Sequence, residues 1–489
     1  MMESAFANLK NFSNFNTNPK KDPLLFFFAF AALFAWCISS LYYQKHSLPI
    51  PPVNTETFKS VVAQIISLKI LLLVFFCLYR SMSQRVVIVF LGSLAILLFG
   101  KFFGFYSISE AFLKINISTI SLVFGMSVIS TIIAETKCFE FLGSKLILKF
   151  GNNHFALFLI LCLISYVCAF MVNSLMAMLL IIPLTLRMSD ALKLKSTPFL
   201  IGEIIASNLG GTSSMTGDFP NMLISTELNI PYLLFIKYLM PICLVNLGVM
   251  FLYFYNKVDF RETQAPHMPT SDISFANTKI KHSFTLMLSV LVLLSLIILF
   301  AFTTFDPGLL ALIASFVLFI FCKMDKETII KKIHYRDVVF FILLFVLIGG
   351  IQSSGLLKTA LSGISFLAFG NPFIKCLLLM WFACLITMFF GAGSATTILI
   401  PMFISLNIES LSIEHFAIWA LSLGICAGSC GTLGVATAGP IACTLSEKFH
   451  KNNSSCVLNL INYSKIGLPL MYFHLLISTI YVILLFLIQ

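Results

Sequence analysis

Long apolar runs, each about as long as a membrane-spanning helix, recur along the chain and are separated by short polar segments. A helix needs about 20 predominantly apolar residues to cross a bilayer. The continuous runs lie at 24–43, 61–79, 86–103, 117–135, 231–255, 283–303, 308–322 and 337–354. A broken run follows near 415–440 and a last one near 466–488. The pattern predicts an all-α polytopic membrane protein.

Composition agrees with this prediction and narrows the class of protein. The chain is 59% hydrophobic and only 10% charged, whereas soluble domains carry about 25% charged residues. Its net charge of +11 is explained by basic loops on the cytoplasmic face, so nucleic acid is not an expected partner. The expected partner is the lipid bilayer. Thirteen cysteines, most of them in predicted spans, are expected to be buried thiols without a disulfide framework.

The basic residues indicate an orientation. They collect in 80–85, 137–149, 187–195, 257–281 and 322–336. Placing all five segments in the cytoplasm gives one consistent path through the membrane, with the N-terminus inside and the C-terminus outside. We therefore expect a multi-pass protein of a bacterial inner membrane.

Two halves of the chain match at one constant offset and without a gap. Residues 114–136 align with 332–354, Pro183 with Pro401, and Gly210 with Gly428. The charge pattern gives the two copies opposite orientations, which is the architecture of many secondary transporters. We predict a cytoplasmic segment 1–23, a first helix 24–43, a first repeat 61–255, a cytoplasmic linker 256–282 and a second repeat 283–489.

Each repeat contains one long apolar segment with a polar centre and cytoplasmic flanks. The first spans 155–187 and turns at Val172–Asn173–Ser174; the second spans 373–406 and turns at Gly391–Ser394. Both are predicted to be re-entrant hairpins, because non-helical backbone is tolerated at membrane depth where it lines a cavity.

Each repeat also contains a helix that is expected to break within the membrane, at 198–226 and at 415–440. Gly210–Gly211 and Gly428 are the expected break points, where unpaired backbone groups could bind an ion or an anion. Small residues there could equally serve close helix packing. Asp218 is a candidate functional residue, because burying a carboxylate in hydrocarbon costs free energy. Glu203 is either a proton carrier or a residue at the cytoplasmic end of its helix.

The candidate binding residues lie at the two tips and the two breaks, which pseudo-symmetry would bring together near the midplane. They are Asn173, Ser174, Ser207, Asn208, Gly210, Gly211, Thr212, Asp218, Asn221, Ser394, Thr396, Thr397, Gly428, Ser429 and Thr432. A hard cation needs several oxygen ligands, so a sodium ion is expected near Asn173, Ser207, Asn208 and Thr212. No other metal, no organic cofactor and no catalytic constellation is predicted; sodium or a proton would serve as the coupling ion.

These motifs resemble the ion transporter superfamily. The stretch IASNLGGTSSMTGDFPNMLI (205–224) is similar to the pattern xSNIGGxxTxIGDPPNxLI of the branch that holds arsenite permeases, NhaD-type sodium/proton antiporters, the P protein and citrate-transporter-like domains. WALSLGICAGSCGTLG (419–434) resembles its second-half counterpart. Divalent-anion/sodium symporters are more distant. The resemblance implies about eleven transmembrane helices plus two re-entrant hairpins in an inverted repeat, a homodimer, and an elevator-type movement.

The departures from the family pattern concern the ion sites. That branch carries an Asp-Asn pair at each tip, but the first tip here has only Asn173 and the second has neither residue. Cys430 stands where the family has Asn. Two intact coupling-ion sites are therefore not expected, and the first half should hold the tighter one.

The leading functional prediction is a secondary active transporter of a small inorganic or organic anion or oxyacid, coupled to sodium or protons. A sodium/proton antiporter is the first alternative, although the missing tip aspartates count against it. A channel-like or non-transporting descendant of the fold is the second. An enzyme is least expected, since no paired acid and base or activated nucleophile is recognisable.

Overall fold

The computed structural model describes residues 55–80, 84–138, 153–192, 194–258, 282–333, 335–360, 371–404, 411–433, 438–449 and 458–488, with a few single residues between these ranges. The predicted segment 1–23 and helix 24–43 lie outside them, as do most of the linker 256–282 and of the basic stretch 137–149. The helices are α1 Thr55–Arg80, α2 Arg85–Phe103, α3 Ile108–Leu113, α4 Ile117–Glu135, α5 His154–Met171, α6 Ser174–Ala191, α7 Ser196–Thr212, α8 Phe219–Leu228, α9 Tyr232–Lys257, α10 Ser283–Phe302, α11 Pro307–Phe321, α12 Lys326–Lys332, α13 Tyr335–Ser353, α14 Pro372–Phe390, α15 Ala392–Ile404, α16 Leu411–Gly431, α17 Gly439–Phe449 and α18 Leu460–Ile488.

The helices form two bundles. In the first, α4 packs against α11, and α13 packs against α2. In the second, α5 packs against α7, α14 against α16, and α16 against α18. We call the first bundle the scaffold and the second the hairpin bundle. They meet where α8 and α15 contact α4 and α13.

The predicted all-α inverted repeat is confirmed. The helices α4 and α13 each have 19 residues and begin at positions that the repeat alignment makes equivalent, Ile117 and Tyr335. They run in opposite directions, because each end of one lies beside the opposite end of the other. Lys114 Nζ lies 3.1 Å from Gln352 Oε1, and its repeat counterpart Lys332 Nζ lies 2.6 Å from Glu135 Oε1.

The repeat also governs side-chain contacts in the hairpin bundle. Ser214 Oγ donates to the Phe170 carbonyl at 2.7 Å, and Thr432 Oγ1 donates to the Met388 carbonyl at 3.2 Å. In the repeat alignment, the donor Ser214 is equivalent to Thr432, and the acceptor Phe170 is equivalent to Met388. The two halves therefore share their backbone packing as well as their order of helices.

Both long apolar segments with polar centres are hairpins, as predicted. Gly202 packs on Phe158 and Gly210 on Tyr166, so α5 and α7 run parallel. Ser174 contacts Gly217 whereas Thr185 contacts Glu203, so α6 runs antiparallel to α7 and returns to the side where α5 began. The helices α14 and α16 also run parallel, because Gly424 packs on Met380 and Thr432 bonds to Met388.

Ten described helices are long and apolar enough to cross a membrane. Three of them, α5, α6 and α14, are hairpin arms. Ten crossings result within the described residues. Seven are the remaining long helices, one is the shorter α11, and two are the broken pairs α7–α8 and α16–α17. The predicted helix 24–43 would be the eleventh. Orientation and domain boundaries stay predictions.

The breaks do not lie at the glycines where the sequence suggested them. The helix α7 continues through Gly210 and Gly211 to Thr212, and α16 continues through Gly428 to Gly431. A Cβ on Gly210 would lie 2.1 Å from the Tyr166 carbonyl oxygen. These glycines allow close helix packing, which is the alternative that the sequence left open.

Candidate functional site

The first hairpin tip is bonded directly to the first helix break. The backbone amide of Ser174 donates to the Gly217 carbonyl at 2.8 Å, and Ser174 Oγ donates to Asp218 Oδ1 at 3.2 Å. Asn173 caps α6 by accepting from the Leu175 amide at 2.9 Å. The predicted meeting of tip and break is therefore present in the first repeat.

Asp218 lies inside the protein at the start of α8. Its side chain is 5% exposed and accepts from the Phe219 amide at 2.9 Å. The positive end of a helix dipole favours an anion at this position. The carboxylate is thus held between the hairpin tip and the N-terminus of α8, rather than in solvent at the outer end of a helix.

Asn221 closes the unpaired end of α7. Its Nδ2 donates to the Thr212 carbonyl at 2.7 Å and to the Ser214 carbonyl at 3.0 Å, satisfying acceptors that a helix end leaves open. Its Oδ1 accepts from Ser422 Oγ at 2.7 Å. Ser422, which lies on α16, was not among the sequence candidates because nothing local to it signals this partner.

The helices α7 and α16 cross at Asn208. Its Nδ2 donates to the Ser429 carbonyl at 3.2 Å, and the Cys426 thiol lies 3.9 Å from its carbonyl oxygen. The side chain is 1% exposed, yet its Oδ1 accepts no hydrogen bond in the described part of the chain. This buried acceptor points to a ligand with a donor group or a positive charge.

The candidate hydroxyls near this crossing bond back to their own helices. Ser207 donates to the Ile204 carbonyl at 2.9 Å, Thr212 to the Asn208 carbonyl at 2.8 Å, and Ser429 to the Ile425 carbonyl at 2.8 Å. Their oxygens keep lone pairs for a ligand. The sharing of one sodium ion by Asn173, Ser207, Asn208 and Thr212 stays a prediction.

The second tip has different neighbours. Gly391 has a φ of 87°, a conformation that glycine adopts readily. A Cβ on Gly393 would lie 2.9 Å from the Phe341 ring and 3.4 Å from the Phe219 ring. These two rings are stacked with centroids 3.5 Å apart. The second tip therefore rests on an aromatic pair that joins scaffold and hairpin bundle, a contact that sequence reasoning missed.

Two buried hydroxyls of the second hairpin bond within their own helix. Thr396 Oγ1 donates to the Ala392 carbonyl at 2.6 Å, and Thr397 Oγ1 to the Gly393 carbonyl at 2.9 Å. Ser394 is 3% exposed. Within the described residues, no cluster of three or more His, Cys, Asp or Glu side chains could hold a metal ion.

A cavity of about 540 Å³ separates the scaffold from the hairpin bundle. Its polar lining comes from Lys114, Asn116, Glu227 and Gln352, and Thr397 of α15 also lines it. Asn116 Nδ2 donates to Glu227 Oε1 at 2.8 Å, linking α4 to α8. In the predicted orientation this cavity faces outside.

Comparison with known proteins agrees with this architecture. A family model described as "Citrate transporter" matches residues 70–424. The chain belongs to the citrate transporter family. Membership makes it a multi-pass membrane transport protein rather than an enzyme.

Several relatives are similar over different lengths. The magnetosome protein MamN of Magnetospirillum gryphiswaldense is 29% identical over 85% of this chain and 98% of its own length. The P protein of Homo sapiens is 30% identical over 35% of this chain and 20% of its own length. The crystal structure of the Alcanivorax borkumensis YdaH transporter covers 76% of this chain and 85% of that one, with a TM-score of 0.51 and 14% identity. This last likeness concerns the fold alone.

Proposed function

We propose that this chain is a secondary active transporter that moves a small anion, with citrate as the first candidate, coupled to sodium or protons. The observation that carries the proposal is the contact of the Ser174 tip with Gly217 and Asp218, within two halves related by an inverted repeat. Discontinuous helices at a repeat interface are where secondary transporters bind substrate and coupling ions.

The chemistry of the site supports an anion together with a cation. Asn208 Oδ1 and the backbone carbonyls at the break are acceptors suited to a cation. The Ser394 hydroxyl can donate to an oxyanion, whereas Thr396 and Thr397 already donate to backbone carbonyls. Lys114, which lines the cavity, adds a positive charge that would attract an anion from solution.

The two-bundle architecture supports an elevator movement. The hairpin bundle carries both tips and both breaks, and within the described residues few polar groups join it to α4. These are Asn116 with Glu227 at 2.8 Å and Thr119 with Thr226 at 2.5 Å. In this proposal the hairpin bundle moves past the scaffold, which would also form a homodimer. We place the protein in a bacterial cytoplasmic membrane with its N-terminus inside.

Uptake into proteoliposomes tests the function. Full-length protein should accumulate radiolabelled citrate when an inward sodium or proton gradient is imposed, and unlabelled citrate should compete. Labelled phosphate and sulfate test other anions. Sodium-dependent proton movement without any anion would instead support the antiporter. Flux that never exceeds equilibrium would support a channel.

A further inference from the structure

A carboxyl group is buried beside the first hairpin. Glu203 of α7 is 0% exposed, and its Oε1 accepts from Thr185 Oγ1 of α6 at 2.5 Å. Its Oε2 has no hydrogen-bond partner in the described part of the chain. Among the salt bridges of the described residues, none involves Glu203.

Among the residues that the structure describes, the groups that face α7 supply no positively charged partner for Glu203. The α5 helix contributes Cys162, a titratable group that interacts with Glu203, and α6 contributes the Thr185 hydroxyl. Further along α7, α9 contributes Cys243 near Ser213, and α16 contributes Cys426 at Asn208. His474 of α18 faces Cys426 rather than Glu203. An isolated buried carboxylate is very unfavourable, so the neutral acid is favoured at this position.

The second repeat shows that packing does not require this polar pair. The positions equivalent to Glu203 and Thr185 are Leu421 and Phe403, which are 0% and 3% exposed. The same helix crossing is therefore filled by apolar side chains in the other half. Because a buried polar pair seldom stabilises more than apolar residues of similar size, its presence in one half only indicates a role other than packing.

The pair of Glu203 and Thr185 also forms one of the two attachments of α6 to its neighbours. The helix α6 is attached near one end by Ser174 to Gly217 and Asp218, and near the other by Thr185 to Glu203. Pro183 lies two residues before Thr185 in the interior of α6. Proline cannot donate the helical hydrogen bond, which weakens the helix locally and permits bending there.

From these observations we propose that Glu203 is a proton-binding group that acts as a latch: when protonated, it holds α6, the second arm of the first hairpin, against α7. This rests on the proposed transport function. A proton from the cytoplasmic water binds the carboxylate to give a neutral acid, which stays packed against Thr185. Loss of that proton leaves a carboxylate that needs water, so α6 separates from α7 and the hairpin opens. The proton is thereby coupled to the movement of the solute.

Two variants of Glu203 test this proposal in full-length protein. Glu203→Gln imitates the neutral acid but cannot release a proton, and Glu203→Leu introduces the side chain of the second repeat. Glu327→Gln is the matched control, because that carboxylate is exposed on α12. In proteoliposomes, one pH unit supports up to about tenfold accumulation of citrate per coupled proton. We expect Glu203→Gln to lose proton-driven accumulation but to keep citrate exchange.

Hydrogen exchange of α6, followed by mass spectrometry, provides a readout that does not depend on the substrate. After correction for intrinsic rates, exchange in 180–191 should rise with pH in wild type and in Glu327→Gln. It should be independent of pH in both Glu203 variants. If wild type moves no citrate, the proposed substrate fails, while a pH-dependent α6 would still support the latch. Wild-type pH dependence of exchange in Glu203→Gln, or unchanged proton-driven accumulation, would overturn the proposal.

Discussion

Gly210→Ala offers a sharp test of the helix packing that builds the site. The added Cβ would lie 2.1 Å from the Tyr166 carbonyl oxygen and 2.8 Å from the Tyr166 Cα. Ordinary contact begins at 3.4 Å, so the two helices must move apart to accept the methyl group. The neighbouring atoms are backbone atoms, and no flexible side chain can move aside.

The magnitude follows from the cost of overpacking. Inserting a methyl group into a packed core typically costs about 1–3 kcal/mol, and the rigid backbone on both sides places this case near the upper end. A loss of about 2–3 kcal/mol lowers the ratio of folded to unfolded protein by about 30-fold or more. The separation would also loosen the nearby contact of Ser174 with Gly217, so transport should fall as well.

Reversible unfolding of purified full-length protein in mixed micelles measures this change. Gly248→Ala is the matched control, because a Cβ there would meet nothing within 4 Å and alanine is the better helix former. Gly428→Ala should shift stability in the same direction as Gly210→Ala, since its Cβ would lie 2.5 Å from the Cys384 carbonyl oxygen. Equal stability of the Gly210→Ala and Gly248→Ala proteins would refute the close approach of α5 to α7.

Further predictions concern the site and the topology. Asn208→Ala should abolish citrate uptake at normal expression, because it removes the unsatisfied acceptor; wild-type uptake would place the ligand elsewhere. Asn173→Ala should raise the cation concentration for half-maximal uptake more than Ser394→Ala does, by about fivefold for one side-chain ligand worth about 1 kcal/mol. A larger shift for Ser394→Ala would move the cation to the second half. Asn221→Ala should lower the free energy of unfolding by about 1–3 kcal/mol, since it leaves two carbonyls and Ser422 without their partner; unchanged stability in a denaturant titration would contradict those bonds. A single cysteine at position 270 should react with a membrane-impermeant maleimide only from the cytoplasmic side, and labelling from outside alone would contradict the orientation.

Much of the architecture was readable from the sequence. The length of each apolar run shows where helices cross, because the bilayer sets that length. The constant offset between the two halves indicated a repeat before any contact was known, and α4 and α13 confirm it. Both hairpins begin and end within a few residues of the predicted positions, because their flanks are polar and their centres carry turn-forming residues.

Contacts between distant segments were not readable. The partner of Asn221 is Ser422, and the partner of Glu203 is Thr185; one sequence gives no signal for either pairing. The glycines at 210 and 428 were expected to break their helices, since glycine is a poor helix former. Only the distance to a neighbouring carbonyl shows that they allow close packing instead.

The two repeats conserve the contacts that position helices and differ in the groups that could bind a cation. Ser214 and Thr432 make the same bond to a backbone carbonyl on the adjacent hairpin arm. In contrast, Thr212 is replaced by Cys430; each bonds back to the carbonyl four residues earlier, through oxygen at 2.8 Å and through sulfur at 3.4 Å. Sodium is a hard cation and prefers oxygen to sulfur. We therefore expect one binding region with unequal halves, with the cation bound on the side of the Thr212 break.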